Sequence, residues 1–146
     1  MSGYTYTPNV TGRPPLDGVC FGCQNDGGGK MWTVVAHTQH GAVGGKANRS
    51  GHCWFSLNGR EHRTSDFSWL SAPEGRIVPV RNRGVGPPRR AVVLGRQGYD
   101  AAVHYAAVAN SDFGLIPGRA NGNTCWFGHG GKEYVTPDFL WLAVFV

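Results

Sequence analysis

The sequence predicts an all-β fold of two tandem homologous antiparallel repeats, packed or interlocked about a pseudo-twofold axis. Glycine and proline supply 23 and 9 of the 146 residues, a composition that suits short strands joined by tight turns. The chain also matches itself at a nearly constant offset, which is the mark of a duplicated unit. No window keeps the apolar spacing of a helix over ten residues.

The self-match has two parts. Residues 14–48 overlie residues 87–121 at an offset of 73, with eleven identical pairs that include two of proline, one of glutamine and one of asparagine. One residue is then dropped, and 10 of 18 positions agree between residues 53–70 and 125–142. Chance does not give such agreement, so the sequence indicates a tandem duplication.

This duplication predicts the domain organisation. We expect residues 1–146 to form one compact unit with a first repeat at 14–70 and a second at 87–146. A connecting segment at 71–86, rich in Gly, Pro and Arg, is expected to hold at most a short strand near 77–80. Neither repeat alone carries enough apolar residues for a core, so we expect the two to share one.

The longest predicted strand of each repeat is an apolar run, at residues 31–38 and 103–110. Alternate positions then share one face, as Trp32, Val34 and Ala36 do in the first run and Tyr105, Ala107 and Ala109 do in the second.

Four short segments are predicted as turns. Residues 44–46 (Gly-Gly-Lys) and 117–119 (Pro-Gly-Arg) have turn composition. The pairs at 58–59 (Asn-Gly) and 130–131 (Gly-Gly) suit two-residue hairpin loops.

Strands are expected to begin at Trp54 and Trp126 and to close the repeats over 66–70 and 138–146. We expect four tryptophans to be core residues with two cysteines buried beside them; these are Trp54, Trp69, Trp126, Trp141, Cys53 and Cys125.

Charge and motifs narrow the function. The net charge is +5, but charged residues are only 16%, and the densest basic group lies in or next to the connecting segment, at Arg81, Arg83, Arg89 and Arg90. Such a surface favours anionic polymers only mildly, and we do not expect nucleic-acid binding. No nucleophile elbow, zinc-protease motif or phosphate loop occurs, so we expect no enzyme and no cofactor.

The sequence lacks the patterns of a metal site, a membrane span and a signal peptide. Cys20 and Cys23 form C-x-x-C, but no second ligand pair has regular spacing, so we expect reduced thiols rather than zinc. No apolar run approaches the roughly 20 residues of a membrane span. The N-terminal residues have no signal-peptide pattern, which predicts a cytoplasmic protein that a non-classical route could release.

Four short sequence motifs, which follow the same order in the two repeats, resemble those of a known family. They are Gly-Leu-Ile-Pro-Gly-Arg at 114–119, Gly-Arg-Glu-His at 59–62, Gly-Lys-Glu-Tyr at 131–134 and Gly-Tyr-Asp at 98–100. Over about 130 of the 146 residues the chain resembles tandem DM-nine repeats, which occur in invertebrate proteins that include mannose-binding lectins of oysters. The resemblance implies an all-β, metal-independent, often dimeric sugar-binding protein.

The resemblance also implies sugar-contacting residues. In the family's lectins, the aspartate of the Gly-Tyr-Asp segment and the lysine that ends Pro-Gly-Lys contact the sugar. They correspond to Asp100 and Arg119 in the second repeat, and the cation of the first repeat is Lys46. The strict offset places Gly27 opposite that acid, whereas a one-residue slip of the loop places Asp26 there, and we predict Asp26. Arginine at 119 and the missing proline before Lys46 depart from the family pattern and bear on sugar preference.

Chemistry supports such a pairing. A carboxylate accepts from two neighbouring sugar hydroxyls while a nearby cation donates to their oxygens, and the acid–cation pair is otherwise a simple surface ion pair. Glu61 and Glu133 recur after the hairpin turns and are either further acceptors or scaffold. Tyr99 and Tyr134 are candidates to stack on a sugar ring.

The sequence therefore predicts a multivalent, metal-independent lectin for mannose or mannose-rich glycans, a homodimer that acts in innate pattern recognition or agglutination. Two alternatives stay open. One is a basic protein that binds sulfated glycans or nucleic acid, and the other is an interaction protein that binds no sugar.

Overall fold

The computed structural model describes residues 3–97 and 102–145, without the side chains of residues 96 and 97. Within these residues the chain forms 14 strands and no helix, which confirms the all-β prediction. The strands of the first half are β1 Thr5–Pro8, β2 Gly22–Gln24, β3 Gly29–Thr38, β4 Gly41–Ala47, β5 Cys53–Leu57, β6 Arg60–Thr64 and β7 Phe67–Ser71. Those of the second half are β8 Ile77–Arg81, β9 Val93–Gln97, β10 Ala102–Ser111, β11 Gly114–Asn121, β12 Thr124–His129, β13 Lys132–Thr136 and β14 Phe139–Val144.

All the strand pairs are antiparallel and belong to one hydrogen-bonded network. The two halves join through β2–β11, β4–β9 and β6–β13, so strands of one half complete the sheet of the other. The described part of the chain contains no helix that is long and apolar enough to cross a bilayer.

Equivalent strands pair in equivalent registers. In the first half Tyr6 lies opposite Leu70, and in the second half Pro79 lies opposite Leu142. β8 therefore takes in the second half the place that β1 takes in the first, although the sequence analysis left both strands outside the repeats. The two strands share no residue at this offset, and each is a short edge strand that carries proline. The pseudo-twofold axis itself stays a prediction.

The hairpin prediction at residues 58–59 and 130–131 is confirmed, whereas the turn prediction at 44–46 and 117–119 is wrong. Asn58, Gly59 and both glycines of the second loop have positive φ angles, as the mirror-image hairpin turns require. The other two segments lie inside β4 and β11. A Cβ at Gly45 or Gly118 would collide with a carbonyl oxygen of the neighbouring strand, so glycine serves close strand contact there.

Three apolar clusters form the core. The central one draws on both halves, with Val35 and Leu70 from the first and Val108 and Leu142 from the second, as the prediction of a shared core requires. Each half adds a cluster of its own, centred on fully buried tryptophans, Trp69 and Trp141.

The prediction that Trp54 and Trp126 are core residues is wrong. Both are only half-buried. In β5 and β12 the neighbouring residues Cys53 and Cys125 point into the core, so strand alternation sends each tryptophan to the opposite face.

Candidate functional site

A buried ion pair lies in the first half. The Lys46 ammonium, on β4, is 3.0 Å from Glu61 Oε2, on β6, and the two side chains are 5% and 8% exposed. Lys46 Nζ also donates to Gln24 Oε1 and to the Gly128 carbonyl oxygen of the second half, at 2.7 Å each. Three oxygens, those of Gln24, Gly128 and Glu61, therefore surround the ammonium. Burial lowers the pKa of Lys46, and the attraction of Glu61 opposes that shift.

The second half repeats this arrangement with a guanidinium. Arg119 Nη2, on β11, is 3.0 Å from Glu133 Oε2, on β13, and the side chains are 6% and 10% exposed. Nη1 donates to the carbonyl oxygen and hydroxyl of Ser56 in the first half, at 2.6 and 3.3 Å. The guanidinium also lies over the Trp126 ring, 5.4 Å from its centroid. Burial lowers the pKa of Arg119, although arginine stays charged throughout the physiological range.

The two glutamates lock the halves together. Glu61 Oε1 accepts from the backbone N–H of Gly131 at 3.2 Å, and Glu133 Oε1 accepts from Gly59 at 3.0 Å. Backbone hydrogen bonds between the same four residues reinforce both contacts. We call these two carboxylates, their two cations and the two hairpin loops the hairpin clasp. The geometry gives Glu61 and Glu133 a scaffold role.

A pocket opens beside the first ion pair. It has a volume of about 420 Å³, and predicted site residues Asp26, Lys46 and Glu61 line it together. Gln24, Asn48, Trp54 and His129 also line this cavity, which we call the Lys46 pocket. The loop between β2 and β3 supplies the first acid, β4 and β6 supply the ion pair, and β12 of the other half supplies the histidine.

Asp26 is the accessible acid of this pocket, with a side chain that is 47% exposed. Its Oδ1 accepts from the Gly28 backbone N–H at 3.0 Å and from Gln24 Nε2 at 3.2 Å. Its Oδ2 lies 3.4 Å from His129 Nε2. The hydrogen bond from Gly28, followed by that from Gln24, holds the pKa of Asp26 below its usual range, so the carboxylate is ionised and oriented.

Several pocket residues escaped the sequence analysis. Gln24 and Asn48 recur in the second repeat as Gln97 and Asn121, and that recurrence was the signal that could have found them. His129 has no such signal, because the equivalent residue is Leu57. Its ring stacks on Phe113 at 4.0 Å, which fixes the imidazole at the pocket wall.

Arg119, Glu133 and Tyr134 do not line this pocket. Asp100 and Tyr99 lie outside the described residues. Tyr134 is half-buried and stacks on Phe127 at 5.5 Å, within the apolar cluster of the second half. The aromatic residue that lines the Lys46 pocket is instead Trp54.

The four cysteines carry free thiols. Cys53 and Cys125 are buried as predicted, and burial raises the pKa of the Cys53 thiol to about 12. Cys20 is half-buried and Cys23 is exposed. Across residues 3–97 and 102–145, no group of three or more His, Cys, Asp or Glu side chains is placed to hold a metal ion.

Comparison with known proteins bears on the fold. No family model and no curated protein matches this chain. Among solved structures, the chain is similar to the nematode sperm cell motility protein MFP2B, with a TM-score of 0.68 and 16% identity. The match covers 97% of this chain and 46% of that one, so the chain spans about half the length of its neighbour. At this identity the similarity establishes a shared all-β fold, and the resemblance to DM-nine repeats stays a prediction.

Proposed function

We propose that this chain is a metal-independent lectin for mannose or mannose-rich glycans, and that the Lys46 pocket is its principal site. One observation carries the proposal. Asp26, on the loop before β3, lines a single cavity of about 420 Å³ together with Lys46 and Asn48, which lie at the end of β4. That size lies within the range of small-molecule sites, and adjacent acceptor and donor groups match the hydroxyls of a hexose.

Asp26 is the primary contact in this proposal. Its half-exposed carboxylate accepts hydrogen bonds from two neighbouring hydroxyls of the sugar. Asn48 Oδ1 is fixed by the backbone N–H groups of Ser50 and His52, whereas its Nδ2 donates to no described residue. That amide is the free donor. The half-buried ring of Trp54 offers an apolar wall for the C–H face of the sugar.

Lys46 does not offer the sugar an unoccupied ammonium group. Three oxygens already surround its ammonium, so a sugar hydroxyl binds it only by replacing Gln24 Oε1, the partner that is half-exposed. This exchange costs Gln24 its hydrogen bond to Lys46 while Glu61 keeps the ammonium neutralised, and Gln24 Nε2 can keep donating to Asp26 only if the side chain stays near the pocket.

The Arg119 region is proposed as a second, weaker site. Two sites on each chain, and more in a homodimer, would raise avidity for arrayed glycans well above that of one site. Such multivalency suits agglutination and innate recognition of microbial surfaces.

A glycan array in the presence of EDTA tests the proposal, with Asp26→Asn beside wild type and Asp66→Asn as the matched control. Asp66 is an exposed aspartate outside the pocket. We expect mannose-type glycans to bind wild type and the control, and Asp26→Asn to lose roughly tenfold or more in affinity. Unchanged binding by Asp26→Asn would contradict the proposed site.

One observation favours a second candidate function. Arg81, Arg83, Arg89 and Arg90 are all exposed, as a surface that binds sulfated glycans or nucleic acid would require. Titration against heparin separates the two proposals, because backbone-charge binding falls steeply with salt and neutral-sugar binding does not. If the glycan array shows no binding and heparin does not bind either, a non-lectin interaction protein is favoured.

A further inference from the structure

A second cavity adjoins the Lys46 pocket. It has a volume of about 370 Å³ and is lined by Gly28, Gly29, Lys30, Asn48, Arg49 and Ser50; we call it the Lys30 pocket. The two cavities share Gly28 and Asn48, so they meet at these residues. The free Nδ2 of Asn48 therefore belongs to the boundary between two cavities rather than to the wall of one.

The two cavities differ in charge. The Lys46 pocket contains two carboxylates beside its ammonium, those of Asp26 and Glu61. The Lys30 pocket contains two exposed cations, Lys30 and Arg49, and neither forms an ion pair with a described residue. Two uncompensated cations on one small cavity attract an anion, and the planar fork of an arginine suits a group with several oxygens.

The loop between the cavities carries no side chains at its tip. Gly27 and Gly29 have φ angles of 91° and 73°, which favour glycine, and a Cβ at either position would meet no atom within 4 Å. Any other residue there would be strained and would fill the open space beside the boundary. The glycine run therefore leaves room for a ligand that occupies both cavities.

We propose that the two pockets form one extended site for an acidic glycan. A neutral hexose occupies the Lys46 pocket, and the next sugar unit places a phosphate, sulfate or carboxylate between Lys30 and Arg49. This inference rests on the proposed function and adds the chemical class of the preferred ligand. It also separates acidic-glycan recognition from the arginines of residues 81–90, which lie outside both pockets.

Isothermal titration at about 150 mM salt tests the inference, because that salt concentration screens distant surface charges. The probes are neutral mannobiose and three derivatives of it, each with a phosphate, sulfate or carboxylate on the second unit. We expect at least one derivative to bind wild type about tenfold more tightly than neutral mannobiose does. The derivative with the largest gain identifies the anionic group.

Two variants that each remove two positive charges provide the matched comparison. Lys30→Gln/Arg49→Gln should lose the tenfold preference, so that each derivative binds this variant about as tightly as neutral mannobiose does. Arg81→Gln/Arg83→Gln should keep the preference. Circular-dichroism melting curves confirm that each variant is folded.

The outcomes separate the inference from the proposed function. If all four disaccharides bind wild type equally, or if both double variants lose the preference alike, the inference is overturned and the lectin proposal stands. If none of the four binds, the proposed function is overturned and the inference falls with it.

Discussion

The two halves of this molecule hold different cations in the same frame. Lys46 and Arg119 occupy equivalent strands, and each lies 3.0 Å from a glutamate that follows a hairpin turn. Each also donates to a backbone carbonyl of the opposite half, Gly128 or Ser56. The remaining contacts differ: the ammonium has Gln24 as its third partner, and the guanidinium is covered by a tryptophan ring.

This comparison separates scaffold from recognition. What the halves share, a buried cation, a glutamate and the hairpin loop of the other half, is what ties them together. In the first half a loop acid, Asp26, adds an accessible carboxylate that takes no part in the clasp. The lesson is that the recurrent charged residues build the frame, whereas the residue proposed to recognise sugar lies on a loop beside it.

The largest expected effect comes from breaking one ion pair. Lys46→Met leaves the Glu61 carboxylate buried without its cation, and we expect a loss of about 3–5 kcal/mol in the free energy of unfolding. Lys46→Met/Glu61→Gln should recover at least about half of that loss, since no buried charge remains. Urea denaturation measures both.

Lys132→Met is the matched control for that experiment, because Lys132 is an exposed lysine on β13. Its free energy of unfolding should stay within about 0.5 kcal/mol of wild type. Equal stabilities for Lys46→Met and this control would mean that the clasp contributes nothing.

Exchanging the cations sharpens the comparison. Arg119→Lys keeps the charge but cannot make all the guanidinium contacts to Ser56, Glu133 and Trp126, so we expect a loss of about 1–2 kcal/mol. Lys46→Arg adds volume to a packed site and should cost about 1–3 kcal/mol. The same denaturation measurement applies, and a stabilised exchange variant would refute the idea that each half is fitted to its own cation.

The smallest expected effect is the change in the stability contributed by Asp26 as the pH is lowered. Because its folded-state pKa is lowered, Asp26 contributes stability above its ordinary pKa of 3.8 and loses that contribution as pH falls through the folded-state value. Denaturation curves of wild type and Asp26→Asn from neutral to acid pH should therefore differ slightly and then converge. A difference that widens toward acid pH would show that the hydrogen bonds from Gly28 and Gln24 do not stabilise the charged form.

The sequence was sufficient where local chemistry decides the structure. Asn58–Gly59 and its counterpart form hairpin turns because few residues adopt positive φ, and Trp69 and Trp141 are buried because each lies in the middle of an apolar strand. It was insufficient where a residue on another strand decides. Residues 117–119 have turn composition, yet glycine is needed at 118 because a Cβ there would collide with the carbonyl oxygen of Trp126 on the neighbouring strand.

The candidate site was likewise predicted only in part from the sequence. Repeat alignment singled out Lys46, Arg119 and both glutamates, since they recur at a fixed offset. It could not assign partners: the sequence analysis paired each cation with a loop aspartate, whereas the structure pairs both with the glutamates. Each pair joins two strands of the same half across a third, with β5 between β4 and β6 and β12 between β11 and β13, and no local sequence pattern encodes such a contact.

The central claim is that sugar binding at the Lys46 pocket depends on Asp26, whereas the clasp stabilises the fold. Titration of neutral mannobiose into Asp26→Asn and Arg119→Lys, each with a melting curve, tests it most directly. The account predicts that Asp26→Asn melts like wild type and loses at least about tenfold in affinity for the Lys46 pocket. It predicts that Arg119→Lys melts earlier and binds at that pocket as wild type does. Wild-type affinity in Asp26→Asn would contradict the account.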